Sequence, residues 1–323
     1  MHIIKACLTT LAGAIALAAA PSQAQSPYPS KPIHILTGSS PGAPSDLVAR
    51  ILADKLSKQL KQPVVVENRA GANNSLAAQA VARADADGYT LLVTPGTAVT
   101  VNPLLYPKER FNPRTDLVPI SLVASFNQIL ICNASRNIHN VKELVARAKK
   151  ENLTYASGGR GSPGNLAAEL FLDAAGIKMT HIPYKGPSPA VTAIMGGQVD
   201  CGFLTTPTVL PHVKSGRLTA LLVSSSTPSP MAPNVPTLPQ VGLRDIEGSF
   251  NEYLMAPKGI PANIQQLLQN ATQQIVKEPD VRSKLTSLDL TPVGSTVEQG
   301  AERITQDTKK WTAVVKRIGL QSQ

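Results

Sequence analysis

Along most of the chain, hydrophobic and polar positions follow one repeated order. A short apolar run is followed by a loop of glycine, serine and proline, then by apolar residues three and four positions apart. Residues 31–37 read as a strand, 39–45 as a small-residue loop, and 46–60 as a helix carrying Leu47, Ile51, Leu52, Leu56 and Leu60 on one face. A second strand at 63–67, a turn at 71–74, a helix that Ser75 can cap and a third strand at 89–94 repeat the order. The stretch 108–119 is irregular, and 120–132 reads as one extended segment crossing between two lobes. The order then restarts. A helix is expected at 141–150, a strand at 153–156, a glycine-rich loop at 157–164 and a helix at 166–175. Strands at 179–183, 199–204 and 218–224 follow, with a helix beginning at 190. A proline-rich connector spans 227–239, and the extended run 252–256 carries the chain back. Helices at 262–276, 279–288 and 297–318 complete it. Repeated strand-loop-helix units predict an α/β fold, with mainly parallel sheets flanked by helices and two lobes joined by two crossings.

Composition narrows this picture. With 42% apolar and 16% charged residues the chain is not a disordered polymer, and 323 residues allow two domains. The first 24 residues stand apart. Lys5 gives a positive start, residues 6–20 are small and apolar, and Ser22-Gln23-Ala24 resembles a cleavage site. This is the build of an export signal, and Cys7 lies before the apolar core rather than after it, so lipid attachment is not expected. Cleavage after Ala24 would leave 299 of the 323 residues and lower the net charge from +10 to +9, because Lys5 is lost. Of the three cysteines, Cys132 and Cys201 remain, both in apolar runs. Two buried thiols are the simpler reading, and export leaves a disulfide open.

Catalytic constellations are sparse. No histidine has a second histidine, cysteine or carboxylate at zinc-ligand spacing, so no metal is expected. Residues 159–164 match G-x-G-x-x-G, but the strand that follows ends in Pro183-Tyr184-Lys185 without the acid a dinucleotide ribose needs. Such a loop still opens a helix, where free N–H groups and the helix dipole favour an anion. Similar loops at 39–46 and 95–97 stand at strand ends, where open parallel sheets bind ligands. Lysines and arginines are scattered without interleaved aromatics, which excludes a nucleic-acid stripe and suits a diffuse field steering small anions.

Several motifs carry a resemblance. Tyr28-Pro29-Ser30-Lys31-Pro32-Ile33, Gln62-Pro63-Val64-Val65-Val66-Glu67-Asn68-Arg69-Ala70-Gly71-Ala72, Asp87-Gly88-Tyr89-Thr90-Leu91-Leu92 and Ile182-Pro183-Tyr184-Lys185-Gly186 are among them. With Gly196-Gly197-Gln198-Val199-Asp200 and Pro292-Val293-Gly294-Ser295, they are similar, in order, to the Bug family. These are the periplasmic solute-binding proteins of tripartite tricarboxylate transporters. The resemblance implies a type II Venus flytrap, with lobe 1 at residues 25–125 plus 250–323 and lobe 2 at 126–249. It implies a periplasmic monomer without cofactor or catalytic activity. The protein would deliver a small organic acid (a di- or tricarboxylate, an amino acid or an aromatic acid) to integral-membrane transporter subunits. By motif position it places Gly42, Ala43, Ser45, Asp46 and Thr97 on one wall of the site. Ser157, Gly161, Ser162 and Asn165 face them, with Lys185, Gly186 and Thr205 nearby.

Two departures bear on the ligand. Ser39-Ser40-Pro41 stands where the family's first loop has a Phe and a Gly pair, and Asn165 replaces a common histidine. The competing readings are a secreted α/β esterase using Ser162 or Ser157, and a sensor presenting its liganded form to a membrane partner.

Overall fold

The computed structural model describes residues 28–107, 111–244 and 248–320; the leader expected at residues 1–24 lies outside them. The first half of the chain runs β1 (Ile33–Thr37), α1 (Pro44–Leu60), β2 (Val64–Asn68), α2 (Ser75–Ala82) and β3 (Thr90–Pro95). Three single-turn helices, α3 (Thr97–Thr100), α4 (Asn102–Leu105) and α5 (Pro113–Asp116), then lead into β4 (Leu117–Phe126). The second half of the order is β5 (Gln128–Asn133), α6 (Val141–Ala148), β6 (Thr154–Ser157), α7 (Pro163–Ala175) and β7 (Thr180–Pro183). It continues through α8 (Pro187–Met195), β8 (Cys201–Thr205), α9 (Thr206–Lys214) and β9 (Leu218–Val223). The chain closes with β10 (Phe250–Pro257), α10 (Ala262–Lys277), α11 (Pro279–Ser287), β11 (Leu290–Pro292) and α12 (Val297–Arg317).

Two sheets form, one per lobe, in the orders β11-β4-β10-β3-β1-β2 and β7-β6-β8-β5-β9. Each is mixed rather than mainly parallel. The strand-loop-helix units pair in parallel, β1 with β2 and β3, and β6 with β7 and β8. β10 runs antiparallel to β3 and β4, and β5 antiparallel to β8 and β9. The reason is the route of the chain. β5 and β10 are the strands by which it enters a sheet from the other lobe, so they begin at the edge where the parallel strands end. The segment expected as one crossing is two strands in different sheets, β4 and β5, with Asn127 alone between them.

Helices on both faces explain why the strands read as nearly continuous apolar runs. In the first sheet Ile35, Leu91, Val93 and Leu254 pack with Val48 and Leu52 of α1 and Leu268 of α10. Their neighbours Leu36, Leu92 and Tyr253 point the other way, to Ala77 and Val81 of α2. The second sheet divides likewise, with Tyr155 and Phe203 against α7 and with Ala156 and Leu204 against α8. Cys132 and Cys201 are register partners on β5 and β8 and are joined as a disulfide, the alternative to two free thiols.

Candidate functional site

The parallel strands of both sheets end at one interlobe cleft, which holds a cavity of about 300 Å³. Four helices start there. The residues preceding them, Ala43 (α1), Ser162 (α7), Gly186 (α8) and Thr205 (α9), all line the cavity. Each helix carries proline at its first or second position, which sets φ for the first turn without adding an N–H. Only Ser162 caps with its side chain, accepting from the Asn165 N–H at 3.3 Å. The remaining first-turn N–H groups of α1, α8 and α9 have no side-chain cap. A small space ringed by four positive helix ends favours an anion.

Of the twelve residues singled out from sequence, Ala43, Ser45, Ser162, Lys185, Gly186 and Thr205 line the cavity. The other six lie behind or beside it. Gly42 is exposed and gives its N–H to Asp46 Oδ2 at 2.9 Å. Asp46 is buried and also accepts from Arg50 Nε at 3.1 Å and Asn68 Nδ2 at 2.9 Å. Burial pushes its acidity down, but the bonds from Arg50, Gly42 and Asn68 outweigh this and hold the carboxyl below its usual range. Asp46 therefore shapes the loop that presents Ala43 and Ser45. Thr97 is buried outside the lining, where Pro95 stands instead.

In the second lobe, Asn165 is fully buried. Its Oδ1 accepts from Gly161 N–H at 2.8 Å and its Nδ2 donates to Tyr155 Oη at 2.8 Å. Gly161 sits at φ +77°, and a Cβ there would meet Leu105 Cδ1 at 2.6 Å, so the loop turns where only glycine fits. Ser157 Oγ lies 3.0 Å from the Gly159 carbonyl oxygen and 2.7 Å from His181 Nε2, within hydrogen-bond distance of both. His181 stacks on Tyr155 with centroids 4.7 Å apart, and burial pushes its pKa down to about 4.

Sequence reasoning did not single out six further residues of the lining. Asn73, Arg160 and Tyr184 lie in turns or motifs it named, and Tyr106, Gln128 and Glu252 reach the cavity from elsewhere. Glu252 sits in the middle of β10, every residue of which is buried, and a single acid in such a strand was the available signal. Burial raises its pKa to about 8 although Ser45 Oγ donates to it at 2.8 Å. The lobes also touch across the cleft. Ser188 Oγ donates to the Pro41 carbonyl at 3.0 Å, and Tyr106 Oη to the Arg160 carbonyl at 3.2 Å.

The two perturbed groups have opposite effects on stability. Glu252 has a raised folded pKa, so it holds a proton that the unfolded chain has released; acidification from pH 8 toward 4.5 stabilises the fold. His181 has a lowered folded pKa, so its contribution is complete above about pH 6.5 and is lost as pH falls through about 4. Between pH 8 and 6.5 Glu252 acts alone, with a slope of up to about 1.4 kcal/mol per pH unit. Denaturant melts across that window are expected to show this rise on acidification in the wild type and a flat profile in Glu252→Gln. Equal slopes in both would remove Glu252 as its source.

Among known proteins, residues 48–320 match the family model described as tripartite tricarboxylate transporter family receptor. A Bordetella pertussis protein named BugT is 35% identical over 304 residues, covering 93% of each chain. Among solved structures, an R. palustris protein with adipate superposes with a TM-score of 0.89 at 26% identity, over 92% of this chain and 100% of that one. MatC from Rhodopseudomonas palustris with bound malate gives 0.83 at 28% identity, over 89% and 100%.

Proposed function

The chain belongs to the tripartite tricarboxylate transporter receptor family, and on that premise we propose that it captures a small carboxylated solute between its lobes and delivers it to the membrane subunits of such a transporter. The observation that carries this reading is the convergence of four helix N-termini on one interlobe cavity. The adipate and malate bound by its structural relatives are carboxylates, in keeping with that electrostatic design. Removal of residues 1–24 during export would place a monomer in the periplasm. Lobe 1 would comprise 25–125 plus 250–323, and lobe 2 would comprise 126–249. The chain passes between them at Asn127 and again between β9 and β10, where Ser249 Oγ donates to Asn127 Oδ1 at 2.9 Å. Two adjacent strands of chain suit a hinge.

We read the protein as a binder and not an esterase. Ser157 is fully buried and lies outside the cavity lining, where a bound ester would not reach its hydroxyl. Ser162 faces the cavity, but among the described residues no histidine bonds its hydroxyl.

A thermal-shift screen of mono-, di- and tricarboxylates, amino acids and aromatic acids tests the reading. A solute at 100 times its Kd stabilises by about 2.7 kcal/mol, enough to raise the melting temperature by a few degrees. No shift from any acid, or turnover of esters that Ser162→Ala abolishes, would overturn it. Ser162→Ala itself is expected to weaken solute binding by about 1 kcal/mol and to lower stability by a similar amount through loss of the α7 cap. Calorimetric titration and a denaturant melt read the two effects separately.

A further inference from the structure

Four acids are buried among the described residues: Asp46, Glu252, Asp289 and Asp307. Three have both carboxyl oxygens occupied. Asp46 is bonded by Gly42, Arg50 and Asn68, Asp289 by Thr206 and Ser229, and Asp307 by Arg303 and Asn251. Glu252 differs. Ser45 donates to Oε2 at 2.8 Å, while Oε1 has no hydrogen-bond partner and no cation pairs with the carboxyl among the described residues. It is 1% exposed and lines the cavity.

Its own lobe supplies the positive end of α1 through Ser45 but no cationic side chain on the lining. On β10 its register partners are Pro95 and Ala124, and from α1 it meets only the Ser45 hydroxyl. The cations of the lining, Arg160 and Lys185, belong to loops of the other lobe, and only burial and Ser45 act on its acidity. One unpartnered buried oxygen of the lining, Asn73 Oδ1, comes from the first lobe as well. Acceptors lacking donors thus stand on the first lobe's wall. Three of the four helix N-termini and both cations stand on the second. A dipolar solute fits that division, and an isolated buried carboxyl gains most from a ligand that brings a positive charge.

We propose that Glu252 is a specificity residue that pairs with a cationic nitrogen of the solute, so that the cleft takes an amino-carboxylate, with its carboxylate toward the second lobe. This rests on the carboxylate-binding reading above and narrows it to zwitterions. The empty site holds Glu252 protonated at neutral pH, and an ammonium bound against it displaces that proton to solvent.

The test is calorimetric titration of the purified protein with matched sets of four- to six-carbon solutes: α- and ω-amino monocarboxylates, the plain monocarboxylates and the dicarboxylates. At least one amino solute is expected to bind about ten-fold or more tightly than its plain counterpart. Glu252→Gln should collapse that ratio to near one. Repeating the wild-type titration at pH 7 in buffers of different ionisation enthalpy should show close to one proton released per amino solute. That readout holds even if the variant folds poorly. A dicarboxylate preferred over every amino solute, or bound with proton uptake, would make Glu252 a neutral donor and overturn the proposal. Plain acids bound without any amine preference sink it alone. Failure of every solute removes the carboxylate reading with it.

Discussion

Replacing Gly164 by alanine is expected to lower stability by about 3 kcal/mol and to abolish solute binding in the same step. Gly164 is the second residue of α7, and a Cβ there would lie 2.1 Å from the Phe203 carbonyl oxygen. That oxygen belongs to the backbone of β8, so no side-chain rotation relieves the clash. Either α7 or β8 must move, and both reach the cavity, through Ser162 and Gly164 on one side and Leu204 and Thr205 on the other. Gly196→Ala is the control. Gly196 has φ −77°, and its added methyl would meet nothing nearer than the Thr192 carbonyl at 3.4 Å. It should be neutral or stabilise by up to about 1 kcal/mol. Denaturant melts and a solute titration on both variants check this. A Gly164→Ala protein with wild-type stability and affinity would refute the close α7–β8 approach.

Trp311→Ala is expected to cost about 3–5 kcal/mol while leaving solute affinity nearly unchanged at temperatures well below the melt. Trp311 is 2% exposed on α12 and stacks on Phe250 of β10, with centroids 5.2 Å apart and planes at 5°. It joins the last helix to the first sheet but does not line the cavity. Stability lost together with binding separates Gly164 from Trp311, where stability alone should fall. A loss under 1 kcal/mol in urea melts would mean that α12 is not held by this stack.

How far these sites were legible depends on the range of the interactions that fix them. Strand-loop-helix units announce themselves locally, since strands buried on both faces are apolar throughout and helices show spaced apolar residues, as along α1 and α12. Strand direction is not local. Nothing in the residues of β10 or β5 says that they run against their neighbours; that follows from which lobe the chain has just left. α9, which the sequence reading leaves unassigned, carries Pro207 in its opening turn, where proline is tolerated, and Pro211 in its interior, where it is not expected. β11, three residues long, carries too little pattern to be seen.

The site divides in the same way. Its small-residue loops were visible from composition; motif position placed Ala43 and Ser162 in them and named Gly186 and Thr205 as lying nearby. Composition could not say which loop residue faces the cavity and which supports it. Asn165 spends its amide on Gly161 and Tyr155, and Ser157 spends its hydroxyl on Gly159 and His181. Asn73, Gln128 and Glu252 were invisible for a further reason. Each becomes part of the lining only when elements distant in sequence meet, as when Ser45 of α1 bonds Glu252 from 207 residues away.

The central claim is that the interlobe cavity selects its solute by a carboxylate held at helix N-termini. The most direct test is to titrate the purified protein, by calorimetry, with the acid that raises its melting temperature most and then with that acid's primary amide. One molecule of the acid should bind per chain, and the neutral amide should bind at least about 100-fold more weakly, a difference of about 2.7 kcal/mol. Equal affinities for acid and amide would contradict the claim.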